Sequence, residues 1–314
     1  MPKVSVIINC YNGEKYLREA IDSVYSQSFH DWEIIFFDNS STDNSANIAK
    51  GYDDRLRYIK SDSLITLGAA RRSAVLVATG EWIAFLDSDD RWYPEKLKTQ
   101  LDALEKSDYI LCYAGIREIK ADGKPIRNVY PVHSSGRLLE SLLNQFEVNM
   151  VTPMFRRALV TDLGINFDAN ITASEEYNLF VRMAAKGTVL VQHELLGDYR
   201  VYEGSLTNRQ ISQWAFERRY TLEQLKNENP GVDVLYKSAF REALARGDYY
   251  EARYLAAQGN KKQAKLVMSK ITSVDWRYRL LFWTLTIPGM WEAIHSSSVR
   301  GKLISFLSPV LFKR

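Results

Sequence analysis

The run Trp82-Ile83-Ala84-Phe85-Leu86 is apolar at every position and then stops at Asp87-Ser88-Asp89-Asp90. A strand with one wet face alternates apolar and polar residues, so a strand without alternation is buried on both faces and needs helices above and below its sheet. Lys3 to Asn9 and Glu33 to Phe37 read as further buried strands, and Leu56 to Ile59 as another. Tyr16, Leu17, Ala20, Ile21, Val24 and Tyr25 recur with helical spacing between the first two strands. Helices are also predicted over Asp43 to Lys50 and over Gly68 to Ala78, with Gly80 as the stop of the latter. This alternation predicts an α/β fold with a mostly parallel central sheet flanked by helices.

Pro94 sits where a proline opens a helix, here one running to about Glu105. Tyr109 to Ile119 followed by Asp122-Gly123 predicts a hairpin, then a helix over Ser174 to Lys186 and a strand over Val189 to Gln192. From about Gln210 the pattern turns helical and polar. The expected organisation is a catalytic domain over 1–209, split into a nucleotide-binding half (1–108) and an acceptor-side half (109–209), with a helical C-terminal region over 210–314. Gly247 with Ala252 and Gly259 with Ala264 repeat one spacing, which predicts a helical hairpin.

With 314 residues, 46% of them hydrophobic, the chain can bury a large core and disorder is not expected. Cys10 and Cys112 are too few for a disulfide framework and fit a reducing, cytoplasmic setting. Met1-Pro2-Lys3 leads straight into a strand, so export is not expected. No apolar run reaches the roughly 20 residues that span a bilayer, so the chain can lie on a membrane but not cross it. A net charge of +3 gives no support for a nucleic-acid partner.

In open α/β sheets ligands bind beyond the carboxyl ends of the strands. Three such ends are distinctive: Cys10-Tyr11-Asn12-Gly13, Asp38-Asn39-Ser40-Ser41-Thr42-Asp43 and Asp87-Ser88-Asp89-Asp90. The chain has neither a glycine-rich dinucleotide fingerprint nor a phosphate loop with its lysine. Carboxylates crowded at a buried strand end repel one another, a cost that a divalent cation relieves. Asp87 and Asp89 are the candidate ligands; the plain alternative is an acidic loop capping the next helix.

Taken in order, these segments resemble the family 2 glycosyltransferases of GT-A fold. The resemblance runs from about Lys3 to Leu206 and rests on Val4 to Asn12, Ser26-Gln27-Ser28-Phe29, Glu33-Ile34-Ile35, Ser41-Thr42-Asp43 and Gly80 to Asp90. It implies an inverting transferase with a nucleotide-diphosphate-sugar donor, UDP-sugar in the first instance, and a manganese or magnesium cofactor held by Asp87 and Asp89. Cys10, Tyr11, Asn12 and Glu14 would line the base pocket, Asp38 and Asn39 would hold the nucleoside, and Ser88 would lie beside the donor. Arg71 and Arg200 would face its phosphates.

The family usually has two aspartates where Asp38-Asn39 stands, and asparagine donates as well as accepts, so the base stays open. Ser174-Glu175-Glu176 resembles the family's acidic pair at a helix start, with Glu176 in place of the usual aspartate as general base and Glu175 as the alternative. Tyr202 stands where histidine is frequent, in a closing segment, Tyr199 to Ser205. The acceptor implied is a glycan or lipid-linked glycan, at the cytoplasmic face of a membrane. Trp276, Trp283 and Trp291 among Arg277, Arg279, Arg300, Lys302, Lys313 and Arg314 suit a membrane interface, or equally a helical core or a homo-oligomer contact. Two rivals remain, a nucleotide-sugar-binding scaffold without chemistry and a nucleotidyltransferase, the latter disfavoured by the missing glycine-rich first loop.

Overall fold

The computed structural model describes residues 1–202 and 211–295. Its first part alternates as expected: β1 (Val4–Cys10), α1 (Glu14–Tyr25), β2 (Trp32–Asp38), α2 (Ser45–Ala49), β3 (Leu56–Lys60), α3 (Leu67–Leu76) and β4 (Trp82–Phe85). There follow β5 (Arg91–Trp92), α4 (Lys96–Leu104), β6 (Tyr109–Ile119), β7 (Pro125–Val129), α5 (Leu139–Asn144), β8 (Met154–Arg156), α6 (Ala158–Thr161), α7 (Glu175–Ala184) and β9 (Thr188–Arg200). The remaining elements are helices: α8 (Ile211–Glu228), α9 (Val232–Leu235), α10 (Lys237–Ala257), α11 (Lys261–Ile271), α12 (Trp276–Thr284) and α13 (Met290–His295).

The strands form one sheet in the order β3-β2-β1-β4-β8-β6-β9-β5, with β7 paired to β6. The β3-β2-β1-β4 half is parallel, and β8 then joins antiparallel to both β4 and β6. Every residue of β4 is buried. Val4, Val6 and Ile8 share a cluster with Leu17, Ala20, Ile21 and Val24 of α1, while Phe85 meets Phe155 and Phe167 elsewhere. Successive strand residues point to opposite faces, so helical cover on both sides is what makes these runs continuously apolar.

The strand expected over Val189 to Gln192 extends to Arg200 and runs parallel to β6 with register shifts. Sequence pattern hides this length because buried Asp198 lies within it. Its carboxylate is neutralised by Arg91 Nε at 2.7 Å and Arg117 Nε at 2.8 Å, and accepts from Tyr93 Oη at 2.7 Å. Arg91 and Trp92 pair with Asp198 and Gly197 as an unanticipated short strand, β5.

Contacts divide the described chain into two compact units: Met1–Leu138 with the segment from Val148 through β9, and Leu139–Glu147 with the helices from Ile211 onward. In the second, α10 packs against α8, α11 and α5, and α10–α11 form the hairpin predicted from the glycine spacing. Gly259, between those helices, has a φ of +79°, the left-handed conformation that ends a helix at glycine without strain.

The start of β4 is fixed by a small polar knot. Ser5 Oγ donates to Glu33 Oε1 at 2.6 Å and accepts from the Gly80 amide at 2.8 Å, and the Thr79 amide donates to the same glutamate at 2.9 Å. This knot sets the register Val4↔Trp82, and hence where the acidic end of β4 emerges. A Cβ at Gly80 would lie 2.5 Å from the Ser5 amide nitrogen. Gly80→Ala is therefore expected to cost about 1–3 kcal/mol of folding stability, seen as a lower urea midpoint at unchanged slope; an unaltered midpoint would contradict this close packing.

Candidate active site

The loops after β1 and β2 are stitched to each other. Asn12 Oδ1 accepts from the Thr42 amide at 2.8 Å, and the Asn12 amide donates to Ser41 Oγ at 3.0 Å. Glu14 and Asp43 cap reciprocally: the Asn44 amide donates to Glu14 and the Glu14 amide to Asp43, each at 2.9 Å. Asn12 adopts φ of +52°, a left-handed turn that asparagine tolerates. Cys10 is buried, burial pushes its thiol pKa up, and a Cβ at Gly13 would sit 2.8 Å from its sulfur and 2.9 Å from Ser88 Oγ. Of the four expected base-pocket residues Cys10 is buried, while Tyr11, at 52% exposure, Asn12 and Glu14 are exposed.

Asp38 and Asn39, expected at the nucleoside, also have partners within the fold. Asp38 is fully buried, accepting from the Ser41 amide at 2.8 Å and from Tyr58 Oη at 2.6 Å. The Asn39 amide donates to the Ile65 carbonyl at 2.8 Å and accepts from the Ile65 amide at 3.0 Å. Gripping both ends of one residue's backbone needs a donor and an acceptor, which asparagine has and ionised aspartate lacks. Asn39 thereby fixes the loop between β3 and α3, and Asp38 ties the turn after β2 to β3.

The carboxyl end of β4 gathers most of the charge. Arg71, on α3 and 4% exposed, places one guanidinium nitrogen 2.7 Å from Asp87 Oδ1 and another 3.3 Å from Glu175 Oε1. It thereby joins the acidic strand end to the acidic start of α7, 104 residues further along from Arg71. Glu175 is buried and Glu176 half-buried. Burial first, then the neighbouring Glu175 charge, pushes the Glu176 carboxyl up to about 7, against the opposing influence of Arg71. Arg72, the next residue, is exposed and donates to the Phe167 carbonyl at 3.1 Å.

Arg200, expected at the phosphates, is bound within the fold. It is 2% exposed: its backbone amide donates to Asp90 Oδ1 at 2.7 Å and its Nε to the Asp89 carbonyl at 2.8 Å. Its remaining nitrogens reach the Ala121 carbonyl and Glu19, and its guanidinium lies 4.2 Å from the centroid of the Tyr16 ring. Committed this way, it holds the Asp89-Asp90 turn in place. Tyr202 Oη donates to Asp89 Oδ2 at 3.0 Å, a partner that sequence reading missed although it marked the position. Glu203, Gly204 and Ser205 of that segment lie outside the described residues.

The donor set suits a hard divalent cation. Burial, then repulsion from Asp87, raises the Asp89 carboxyl; burial, then Asp89 and Asp87, raises Asp90 well above its usual range. Asp90 Oδ2 is buried without a hydrogen-bond partner. These are crowded carboxyl groups only partly offset by Arg71 and Arg200, and oxygen donors are the preference of magnesium and manganese. Among the described residues no three His, Cys, Asp or Glu side chains converge as a closed metal site. Two carboxylates leave most coordination positions to water and a ligand's oxygens, as magnesium sites at phosphates usually do.

The sequence model of Glycosyl transferase family 2 matches residues 5–164, just over half of the chain. A Bacillus subtilis (strain 168) protein named as a candidate teichuronic acid biosynthesis glycosyltransferase, TuaG, is 28% identical over 211 residues, 66% of this chain and 82% of that one. Among solved structures, Staphylococcus aureus TarS 1-349 in complex with UDP-GlcNAc superposes with a TM-score of 0.69 at 20% identity, covering 95% of this chain and 92% of that one. The Pyrobaculum calidifontis mannosyltransferase PcManGT, in complex with GDP-Man and Mn2+, gives a TM-score of 0.54 at 16% identity over 91% and 84% of the two chains. Both structural likenesses concern the fold, a mixed α/β sheet with flanking helices. The family match spans β1 through β8 with the acidic end of β4 inside it, and on that ground the chain belongs to glycosyltransferase family 2.

Proposed function

We propose that this chain transfers a sugar, with inversion, from a nucleotide-diphosphate donor to a hydroxyl of a glycan or lipid-linked glycan during surface polysaccharide assembly, at the cytoplasmic face of a membrane. A UDP-sugar is the first donor to test, since the TarS neighbour is in complex with UDP-GlcNAc. The glycan setting is suggested by the name of TuaG. The observation that carries the reading is Arg71, whose single guanidinium ties Asp87 to Glu175 and so brings the donor-side acids and the acid pair of α7 to one crevice.

In this reading Asp87 and Asp89 hold manganese or magnesium, which supplies charge neutralisation to the departing diphosphate. Tyr11 lies at the base, with the Asn12 and Ser88 loops beside it. Arg71 pairs with Asp87 and aims it, and Arg200 braces the turn that carries Asp89. The acceptor oxygen attacks the anomeric carbon as Glu176 takes its proton, and the bond from that carbon to the diphosphate oxygen breaks with its electron pair on the diphosphate. A half-buried carboxylate flanked by Glu175, Asp87 and Arg71 is basic enough to do this near neutrality.

Glu176→Gln is expected to lower turnover about 10²–10⁴-fold while leaving donor affinity unchanged by calorimetry; a loss confined to donor affinity would move the base elsewhere. A carboxyl raised to about 7 is mostly neutral at lower pH and cannot accept a proton. Turnover of the wild type should therefore rise with pH through about 7 and then level, and the variant should lack that rise. Asp89→Asn should abolish the manganese-dependent gain in melting temperature given by UDP, and retention of the gain would remove Asp89 from the cation's shell. Arg71→Met takes the shared partner from Asp87 and Glu175, and is expected to cost about 3–5 kcal/mol in urea denaturation; unchanged stability would show the bridge to be dispensable.

A further inference from the structure

Helix α12 is apolar on two opposite faces. One carries Tyr278 and Leu281, each 1% exposed, packed with Met268 and Ile271 of α11 and Trp291 of α13. The other carries Trp276, Leu280 and Trp283, exposed at 61%, 44% and 59%. At 3.6 residues per turn these three fall within an arc of about 60°, and exposed Ile287 and Met290 follow in the next turn. A helix apolar all round is normally covered all round. Two indoles side by side on an open face form a patch of the kind that marks an interaction surface.

The charge around this face says what covers it. Residues 261–295 carry six Lys and Arg against two acids, Asp275 and Glu292, whereas the first 260 residues carry 31 basic against 36 acidic side chains; Arg300, Lys302, Lys313 and Arg314 lie outside the described residues. The small net charge of the chain thus hides a strongly cationic end. Exposed Arg279 lies on α12 beside Trp276 and Trp283, and α11 exposes Lys262 and Lys270. A second copy docking here would bring like charge against like charge, which disfavours self-association. An anionic bilayer offers the opposite charge, and indoles settle at headgroup depth. No helix among the described residues is long and apolar enough to cross a bilayer, so contact through α12 is of the surface kind.

We propose that the Trp276–Leu280–Trp283 face of α12 seats the protein on an anionic lipid surface, with the indoles at headgroup level and the surrounding cations against lipid phosphates. This docking is independent of which residue serves as general base. The full chain is sedimented with vesicles of phosphatidylcholine and with vesicles of a roughly 2:1 mixture of phosphatidylcholine and phosphatidylglycerol, at low and high salt. The expected result is binding to the anionic vesicles only, weakened by salt, with a partition coefficient at least about tenfold lower for the double variant Trp276→Glu, Trp283→Glu. Both side chains are exposed, so the variant should keep the wild-type urea midpoint. Absence of binding to either vesicle, or equal partitioning of wild type and variant, overturns the proposal. So does a wild-type dimer in sedimentation velocity that the variant turns into a monomer, because a second copy then covers the face.

Discussion

Like charge confined to the end of a buried strand is the constraint around which the catalytic half of this molecule is arranged. Asp87, Asp89 and Asp90 leave β4 within four residues, and Glu175 and Glu176 arrive from α7. Little water is left to screen them, so their repulsion must be met by fixed positive charge or appears as carboxyls that hold their protons. Two arginines supply that charge in different ways. Arg71 spans Asp87 and Glu175, while Arg200 reaches the turn through its backbone amide and Nε and gives the rest of its guanidinium to Glu19 and carbonyl oxygens. Neither cancels the excess at Asp89 and Asp90, whose raised carboxyls are the remaining imbalance.

Around that charged centre, hydrogen bonds between side chains and backbone hold the loops. The pairs Asn12–Thr42, Glu14–Asn44 and Asn39–Ile65 link segments 26 to 30 residues apart in sequence. A pocket built on loops must be rigid to align reactants, and side chain to backbone bonds give that rigidity without a hydrophobic core. The polar residues most conspicuous at the strand ends therefore also serve as the framework that holds these loops to one another.

The elements were legible where periodicity was strong. Continuous apolar runs marked β1, β2 and β4 because both sheet faces are covered, and the Asp122-Gly123 turn marked the β6–β7 hairpin. The length of β9 was hidden by Asp198, whose burial depends on Arg91, Arg117 and Tyr93 from other elements. Asp87, Asp89 and Glu176 were legible as candidates from residue type and order. The internal partners of Asp38, Asn39 and Arg200 were not, since each is brought to the side chain only by the folded chain. Arg200 meets Glu19 across 181 residues, and no local pattern signals such a pair.

The sequence by itself determined the layered α/β class, the acidic ending of β4 and the helical character of the C-terminal region, because these follow from the spacing of side chains along a regular backbone, and its ordered motifs carried the resemblance to the family. Only the tertiary structure decided which polar groups remain available to a ligand and which are consumed by the fold, and that α12 buries one apolar face while leaving the other open. The physical reason is common to both: hydrogen bonds, ion pairs and burial are satisfied between residues far apart in the chain, and a side chain's chemistry is set by what is left over once they are made.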